Sequence, residues 1–138
     1  LDYARNARWG THPRVWERSR GGDGRQHPTA FVHFKTHGER EMGFRTLEEY
    51  NQRLVSLVRR AGRDVYLTIR KKEHPYPVLI FRDERTQETA VINLKGQQFA
   101  TFFRPNDKSF ATLLRGYDIS LKLENARGVM KWIRFMPI

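Results

Sequence analysis

The strongest constraint on the fold is a change in the spacing of apolar residues near residue 62. Residues 46–49 read Thr-Leu-Glu-Glu, which has the form of a capping box at the start of a helix. Apolar residues then recur with helical spacing as far as Ala61, and Gly62 supplies a stop. From Asp64 onward, apolar and polar residues alternate, which predicts strands. Helices followed by a run of strands indicate the α+β class.

The alternating part of the chain predicts a mainly antiparallel sheet of four to five strands. The connections between successive strands are short, and short connections favour hairpins. The predicted strands cover residues 64–70, 78–82, 88–94, 98–104 and 117–124. We expect a helical turn at residues 110–114, while the apolar end at residues 129–138 fits either a helix or a strand. The expected architecture is therefore N-terminal helices packed on this sheet.

The chain has 138 residues and a large positive charge. It carries 26 Lys and Arg residues against 15 Asp and Glu residues, which gives a formal net charge of +11. A field of this size attracts polyanions, with nucleic acid as the first candidate and a membrane surface as the second. No stretch approaches the roughly 20 apolar residues of a transmembrane helix, and no signal peptide is recognisable. Cysteine is absent, which excludes disulfides.

Residues 1–28 differ from the rest of the chain. They contain six arginines and a glycine-rich break, without a sustained apolar period. We expect a basic flexible arm or linker here, followed by a single domain over residues 29–138. Trp9 and Trp16 are unusual in a linker. We expect them to dock on the domain, and stacking on RNA bases is the alternative.

The segment after this arm predicts a short helix. Thr29 can serve as its N-cap, and the helix would begin at about Ala30. Helical spacing would bury Ala30, Phe31 and Phe34 on one side. Gly38 is the expected stop, because glycine enters left-handed backbone angles without cost.

This short helix carries two histidines and a lysine. His33 and His37 are four residues apart, so they would lie one turn apart at the edge of the apolar stripe, with Lys35 at the other edge. Paired imidazoles suit proton transfer near neutral pH. The alternative is two plain surface histidines. A zinc site would need a third ligand, and the chain has neither cysteine nor an HExxH pattern.

Three blocks of sequence, in this order, resemble a known group of toxins. They are His-Phe-Lys-Thr-His-Gly at residues 33–38, the Gly-Phe and Thr-Leu-Glu-Glu-Tyr runs within residues 43–50, and Thr-Phe-Phe-Arg-Pro at residues 101–105. The pattern is similar to that of the barnase–EndoU–colicin–RelE-like superfamily of metal-independent ribonucleases. This superfamily includes colicin D-type domains at the C-termini of contact-dependent and polymorphic toxins. The resemblance covers residues 30–106, and the basic arm and the segment after Asn106 depart from it.

The resemblance implies an α+β toxin domain that cleaves RNA, with tRNA as the expected substrate and without a metal or other cofactor. In such enzymes the ribose 2′-hydroxyl attacks the adjacent phosphate and leaves a 2′,3′-cyclic phosphate. The histidines would supply acid and base, the cations would stabilise the phosphorane, and Thr101 would bond a phosphate oxygen. By simple alternation, Thr101 shares a strand face with Phe99 and Phe103, a setting more typical of a core residue. The implied catalytic residues are His33, Lys35, His37, Arg70 and Thr101, and the implied RNA-binding residues are Arg104, Lys108 and Phe102.

A toxin of this kind implies a partner and a route. The expected partner is an acidic cognate immunity protein, and the domain would otherwise be monomeric. The domain would be secreted or delivered as part of a larger toxin and would act in the cytoplasm of the target cell. We expect no membrane insertion by this domain.

Two other functions remain open at the level of sequence. An ADP-ribosyltransferase toxin would need a pocket for nicotinamide adenine dinucleotide and a late catalytic glutamate. Glu84, Glu88 and Glu124 are available for that role, but none lies in a persuasive motif. A non-catalytic RNA-binding module is supported by the charge and by the aromatic side chains of residues 99–103.

Overall fold

A computed structural model describes residues 16, 18–20, 26–28, 30–70, 76–94 and 98–125. Within these ranges the chain forms two sheets, three α-helices and one π-helix. In chain order the elements are β1 (Arg18–Arg20), β2 (Gln26–Pro28), α1 (Ala30–His33), the π-helix (Phe34–Glu39), α2 (Leu47–Arg59), β3 (Asp64–Arg70), β4 (Tyr76–Arg82), β5 (Thr89–Asn93), β6 (Gln98–Phe103), α3 (Asp107–Arg115) and β7 (Ile119–Lys122).

The main sheet is antiparallel throughout and has the strand order β6-β5-β4-β3-β7. The predicted α+β class is confirmed, with helices partly packed on a five-stranded antiparallel sheet. A simple meander would pair β7 with β6, whereas β7 pairs with β3 at the far edge because the connection through α3 crosses the sheet. The undecided apolar end at residues 129–138 lies outside the described residues.

The helix α2 forms where the capping box predicts it. The Thr46 hydroxyl accepts a hydrogen bond of 3.1 Å from the backbone N–H of Glu49. The Glu49 carboxylate reaches back to the backbone N–H of Arg45, one residue before the cap, at 3.4 Å. The buried side of α2 includes Tyr50, Leu54 and other apolar residues that pack against one face of the sheet. Burial of this stripe fixes α2 on the sheet.

The first helix differs from its prediction in three ways. It is α-helical only over Ala30–His33 and continues as a π-helix to Glu39. Ala30 and Phe34 are buried as expected, but Phe31 is 56% exposed. Gly38 does not end the helix in a left-handed conformation; it is buried inside the π-helix. Among these residues the π-helical turn buries Gly38, which was expected at the helix end, while Phe34 lies where α-helical spacing predicts it.

A β-bulge in β6 changes which side chains share a face. The pairing of β5 with β6 shifts between Val91 and Ile92, so that Val91 pairs with Thr101 while Ile92 pairs with Phe99. Phe99 and Phe102 therefore belong to the core under α2. Thr101 lies on the opposite face of the strand from Phe99, and the predicted grouping of these two residues is wrong.

Part of the predicted arm belongs to the core. Trp16 is 1% exposed and forms a parallel bridge with Phe99. Its ring also packs against that of Tyr50, with centroids 6.3 Å apart. Docking of Trp16 is therefore confirmed, and the predicted boundary at residue 28 does not separate Trp16 from the domain. Trp9 lies outside the described residues.

The helix α3 is attached to the second face of the sheet. Phe110 packs there with Val78, Ile80 and Val91. The fully buried guanidinium of Arg82 lies 4.4 Å from the Phe110 ring centroid. This side chain also bonds the segments before and after β6, which holds the end of that strand in place.

Candidate active site

The two predicted histidines meet at the edge strand β6. His33 closes α1 and His37 lies in the π-helix, and their rings stack with centroids 5.7 Å apart. The His33 Nδ1 is 3.1 Å from the Thr101 Oγ1, and the His37 ring lies 5.6 Å from the Phe103 ring. β6 is the edge strand of the main sheet, and the helical segment reaches across this edge to Thr101 and Phe103, beside the bridge between Trp16 and Phe99. The fold therefore brings together three of the five predicted catalytic residues.

The environment of His33 keeps its imidazole neutral. The Trp16 ring stacks on it with centroids 5.6 Å apart and excludes water from one side. Burial, and secondly the positive charge of the adjacent His37, lower the pKa of His33 to about 4. A neutral imidazole at physiological pH can accept a proton, so His33 is suited to act as a general base.

His37 lies beside a carboxylate that the sequence analysis did not identify. The Glu41 Oε1 is 3.0 Å from the His37 Nδ1, an ion-pair distance, although the two atoms form no hydrogen bond. A carboxylate at this distance attracts a protonated imidazole. The Arg104 guanidinium donates a 2.7 Å hydrogen bond to the Glu41 backbone carbonyl, which places a positive charge beside the pair.

The position of His37 depends on a close approach between Gly38 and Tyr50. A Cβ atom at Gly38 would lie 2.5 Å from the Tyr50 Cδ1 and 2.9 Å from the Phe34 Cδ1. Tyr50 is fully buried, and its hydroxyl donates to the backbone carbonyl of Phe102 in β6. Glycine is thus needed here for space, because Tyr50 joins the π-helix to the strand that carries Thr101.

We expect Gly38→Ala to lower stability by about 1–3 kcal/mol, because the added methyl group overpacks a site that cannot relax. The π-helix would shift away from β6, so any activity that depends on His37 should fall as well. Gly43→Ala is the matched control, since a side chain there is strained by the φ of +76° but meets no neighbouring atom. It should therefore lose stability without displacing the π-helix. Thermal melts and RNA cleavage are the measurements. If Gly43→Ala loses as much activity as Gly38→Ala, the contact with Tyr50 does not position the site.

Two of the implied catalytic residues lie elsewhere. Lys35 is exposed and forms a 3.0 Å ion pair with Glu39, and its ammonium lies 5.6 Å from the Phe31 ring centroid. Arg70 ends β3, three strands from β6, a separation of about 14 Å across the sheet. Thr101 pairs through β5 and β4 with a residue four positions before Arg70. The structure therefore does not bring the backbone of Arg70 next to Thr101; the Arg70 side chain lies outside the described atoms, and its catalytic role stays a prediction.

The three implied RNA-binding residues differ in their exposure to solvent. Arg104 is exposed next to Glu41, which suits a contact with phosphate. Phe102 is 0% exposed and packs on Tyr50, so its predicted contact with RNA is wrong. The cause is the bulge, which turns Phe102 inward and Phe103 toward His37. Lys108 is exposed in the first turn of α3 and stays a prediction.

Sequence reasoning missed Glu41 and the role of Trp16. Glu41 continues the four-residue spacing of His33 and His37, and this His-x-x-x-His-x-x-x-Glu pattern was the available signal. The contact of Trp16 with His33 is long-range in the chain, and no local pattern marks it. Among the described residues no cluster of three or more metal-ligating side chains occurs. Within the same residues no helix is long and apolar enough to cross a membrane.

Comparison with known proteins gives no further guide. No family model, no curated protein and no solved structure matches this chain. The resemblance to the ribonuclease toxins therefore stays a prediction. What the site offers chemically is a neutral imidazole, a second imidazole beside a carboxylate, a hydroxyl and an exposed guanidinium within one small region of the surface.

Proposed function

We propose that this chain is a metal-independent endoribonuclease of the toxin type, which cleaves RNA at the site on the edge of β6. The observation that carries the proposal is the stacked pair of His33 and His37, whose two imidazoles differ in environment. One is held neutral and the other faces a carboxylate, which matches the division of labour between a general base and a general acid. The net charge of +11 favours a polyanionic substrate.

The proposed reaction is an internal transfer within RNA. His33 takes the proton of the ribose 2′-hydroxyl, and the resulting oxygen attacks the adjacent phosphorus. The bond from phosphorus to the 5′-oxygen of the next nucleotide breaks, and His37 donates a proton to that oxygen. The products are a 2′,3′-cyclic phosphate and a free 5′-hydroxyl, so atoms and charge balance without water or a metal. Arg104, whose guanidinium donates to the backbone carbonyl of Glu41 beside this pair, would stabilise the phosphorane.

Cleavage of purified tRNA and total RNA in the presence of EDTA tests this proposal. We expect fragments with 2′,3′-cyclic phosphate ends, with and without added NAD. Labelling of a protein target by NAD, without RNA cleavage, would instead support an ADP-ribosyltransferase. RNA binding without cleavage would support the non-catalytic module.

Specific observations disfavour both rivals. Glu88, one candidate for a transferase glutamate, is buried and forms ion pairs with Arg53 and Arg60. These two ion pairs occupy the Glu88 carboxylate, which is therefore a poor candidate for a catalytic glutamate. Phe99 and Phe102, offered as base-stacking residues of an RNA-binding module, are both 0% exposed. The remaining aromatic residue of that hairpin, Phe103, contacts His37 and so belongs to the proposed catalytic site.

The pH dependence of RNA cleavage should follow the protonation of His33. Because its pKa is lowered to about 4, His33 stays neutral from neutral pH down to that value. We therefore expect kcat/KM to fall as the pH drops through about 4, rather than near the ordinary histidine value of about 6.5. Trp16→Ala should admit water to the ring, raise the pKa of His33 and move this limb toward neutral pH. Histidine NMR titration is the direct readout, with circular dichroism to exclude unfolding. An acidic limb near 6.5 in the unmodified protein contradicts the assignment of His33 as base.

Thr101 acts in this scheme as a positioning residue. In the tautomer with the proton on Nδ1, His33 donates a hydrogen bond to the Thr101 hydroxyl, and its Nε2 can accept the proton of the substrate 2′-hydroxyl. We expect Thr101→Val to lower kcat by about 10-fold with little change in KM, and Thr101→Ser to restore most of it. Steady-state kinetics of the two variants is the measurement. Equal losses for serine and valine would show that packing, rather than the hydroxyl, matters.

An enzyme of this kind also needs an inhibitor in the cell that makes it. We propose an acidic immunity protein that covers the His33–His37 face, because an acidic surface is attracted by the same field that attracts RNA. Such an inhibitor would compete with RNA. The wider setting, a domain of a larger delivered toxin that acts in the target-cell cytoplasm as a monomer, belongs to the same proposal.

A further inference from the structure

A second feature lies beside the histidines, and the proposed reaction uses only one of its residues, Arg104. It is a surface pocket of about 440 Å³, a size typical of sites for small ligands. Three arginines, one carboxylate and two apolar side chains form most of its wall. These residues are Arg53, Arg85, Arg104, Glu88, Met42 and Phe44. We propose that this pocket binds one nucleotide of the RNA next to the cleaved bond, an inference that rests on the proposed function and extends it.

The charges in the pocket favour an anion. Glu88 is buried, and its carboxylate is already bonded to Arg53 at 2.5 Å and to Arg60 at 3.0 Å. Arg104 already serves the phosphorane in the proposed reaction, so the positive charge that remains available comes from Arg85. The Arg85 side chain is 77% exposed and only loosely paired, with its Nε 3.7 Å from Asp83. A phosphate group could therefore gain a guanidinium contact from Arg85 without breaking the buried ion pairs.

The apolar part of the pocket lining suits a base. Met42 and Phe44 are half-buried, and both pack against the core while lining the pocket. Phe44 is held edge-on to Tyr50, with ring centroids 6.3 Å apart. A fixed aromatic side chain beside a polarizable thioether offers an apolar surface on which any base can pack. A simple phosphate site would not need this wall, and the pairing of cations with an apolar surface is what indicates a nucleotide.

The pocket and the histidines share one segment of backbone. Arg104 lines the pocket, and its guanidinium donates to the Glu41 carbonyl. The side chain of Glu41 faces His37, and the backbone N–H of Met42 donates to the His37 carbonyl at 3.0 Å. The pocket and the histidines therefore adjoin along residues 41 and 42, and in this proposal the nucleotide next to the cleaved bond occupies the pocket.

Binding of an RNA that cannot be cleaved tests this inference without relying on catalysis. We would measure the affinity of a 2′-O-methyl oligonucleotide for the unmodified protein and for Arg85→Ala and Arg59→Ala. Arg59 is an exposed arginine at the end of α2 that does not line the pocket, so it controls for the loss of one positive charge. We expect Arg85→Ala to weaken binding about 10-fold and Arg59→Ala less than 2-fold at equal salt. Equal losses for the two variants would overturn the pocket as a site.

A second comparison asks whether the base is recognised. Met42→Ala should weaken binding of the oligonucleotide but leave binding of an abasic strand of the same length unchanged, with thermal melts to confirm folding. If Met42→Ala weakens binding of both strands equally, or of neither, the pocket does not hold a base and the inference is wrong. A protein that passes both comparisons but cleaves no RNA would contradict the proposed reaction and leave the nucleotide site standing.

Discussion

His33→Ala and His37→Ala should each lower RNA cleavage by about 10²-fold or more, because each removes a group that transfers a proton in the transition state. Both side chains lie at the edge of the sheet and outside the buried core, so the fold should survive. The double variant should be little worse than either single one, since an acid and a base that act on the same step are not additive. Initial rates on a defined RNA, with thermal melts of each variant, are the measurements.

Lys35→Ala is the matched comparison for these variants. Lys35 lies on the same helical segment, but its ammonium is paired with Glu39 and faces Phe31. We expect a loss of less than about 3-fold, consistent with removal of one exposed charge that guides RNA to the surface. Near-normal cleavage by both histidine variants, or a loss for Lys35→Ala as large as theirs, would remove the histidine pair from the mechanism.

The largest effect on stability is expected at Arg82. Its guanidinium is fully buried and donates to three acceptors: the carbonyls of Gln87 and Pro105 at 2.8 and 2.7 Å, and the Thr89 hydroxyl at 3.0 Å. Replacement by methionine keeps most of the volume but removes the donor from all three; the Gln87 carbonyl keeps a 3.2 Å hydrogen bond from the Thr89 hydroxyl, while the Pro105 carbonyl loses its donor. Since each orphaned group costs about 1–3 kcal/mol, we expect Arg82→Met to lower the free energy of unfolding by about 2–4 kcal/mol.

The control for Arg82 is its partner at the surface. Asp107 accepts a 2.9 Å hydrogen bond from the same guanidinium but is itself 78% exposed. Asp107→Asn should therefore cost less than about 1 kcal/mol. Urea unfolding of both variants gives the comparison. If Arg82→Met unfolds at nearly the same urea concentration as Asp107→Asn, the buried bonds do not hold α3 and the end of β6 together.

Local patterns in the sequence were sufficient for the secure parts of the fold. The capping box fixed the start of α2, and alternation found the strands, because both are short-range effects of backbone geometry and burial. Local patterns did not predict the structure of the two edge strands, β7 and β6. The pairing of β7 with β3 depends on a crossing connection, and sequence spacing carries no record of it. Simple alternation places Phe99 and Phe102 on opposite faces of β6, whereas the bulge places both on the core face. The predicted contact of Phe102 with RNA is wrong for this reason.

The candidate active site was predictable only in part, because it also depends on contacts between residues far apart in the chain. Four-residue spacing placed His33 beside His37, and the structure agrees. The π-helix that carries His37 brings Gly38 close against Tyr50, a contact between two elements that no local rule describes. The lowered pKa of His33 depends on Trp16, which lies in a segment that reads as an arm. Sequence reasoning therefore supplied the reactive groups, while the tertiary contacts supply their environment.

A single 2′-deoxy substitution tests the central claim most directly. An RNA oligonucleotide is first cleaved in EDTA and the position of the cut is mapped. The same oligonucleotide is then made with deoxyribose at the nucleotide on the 5′ side of that cut, which removes the proposed nucleophile and leaves the phosphate in place. We predict that cleavage at that position is abolished while binding changes little. Continued cleavage at the substituted position, or products without a 2′,3′-cyclic phosphate, would contradict attack by the 2′-hydroxyl.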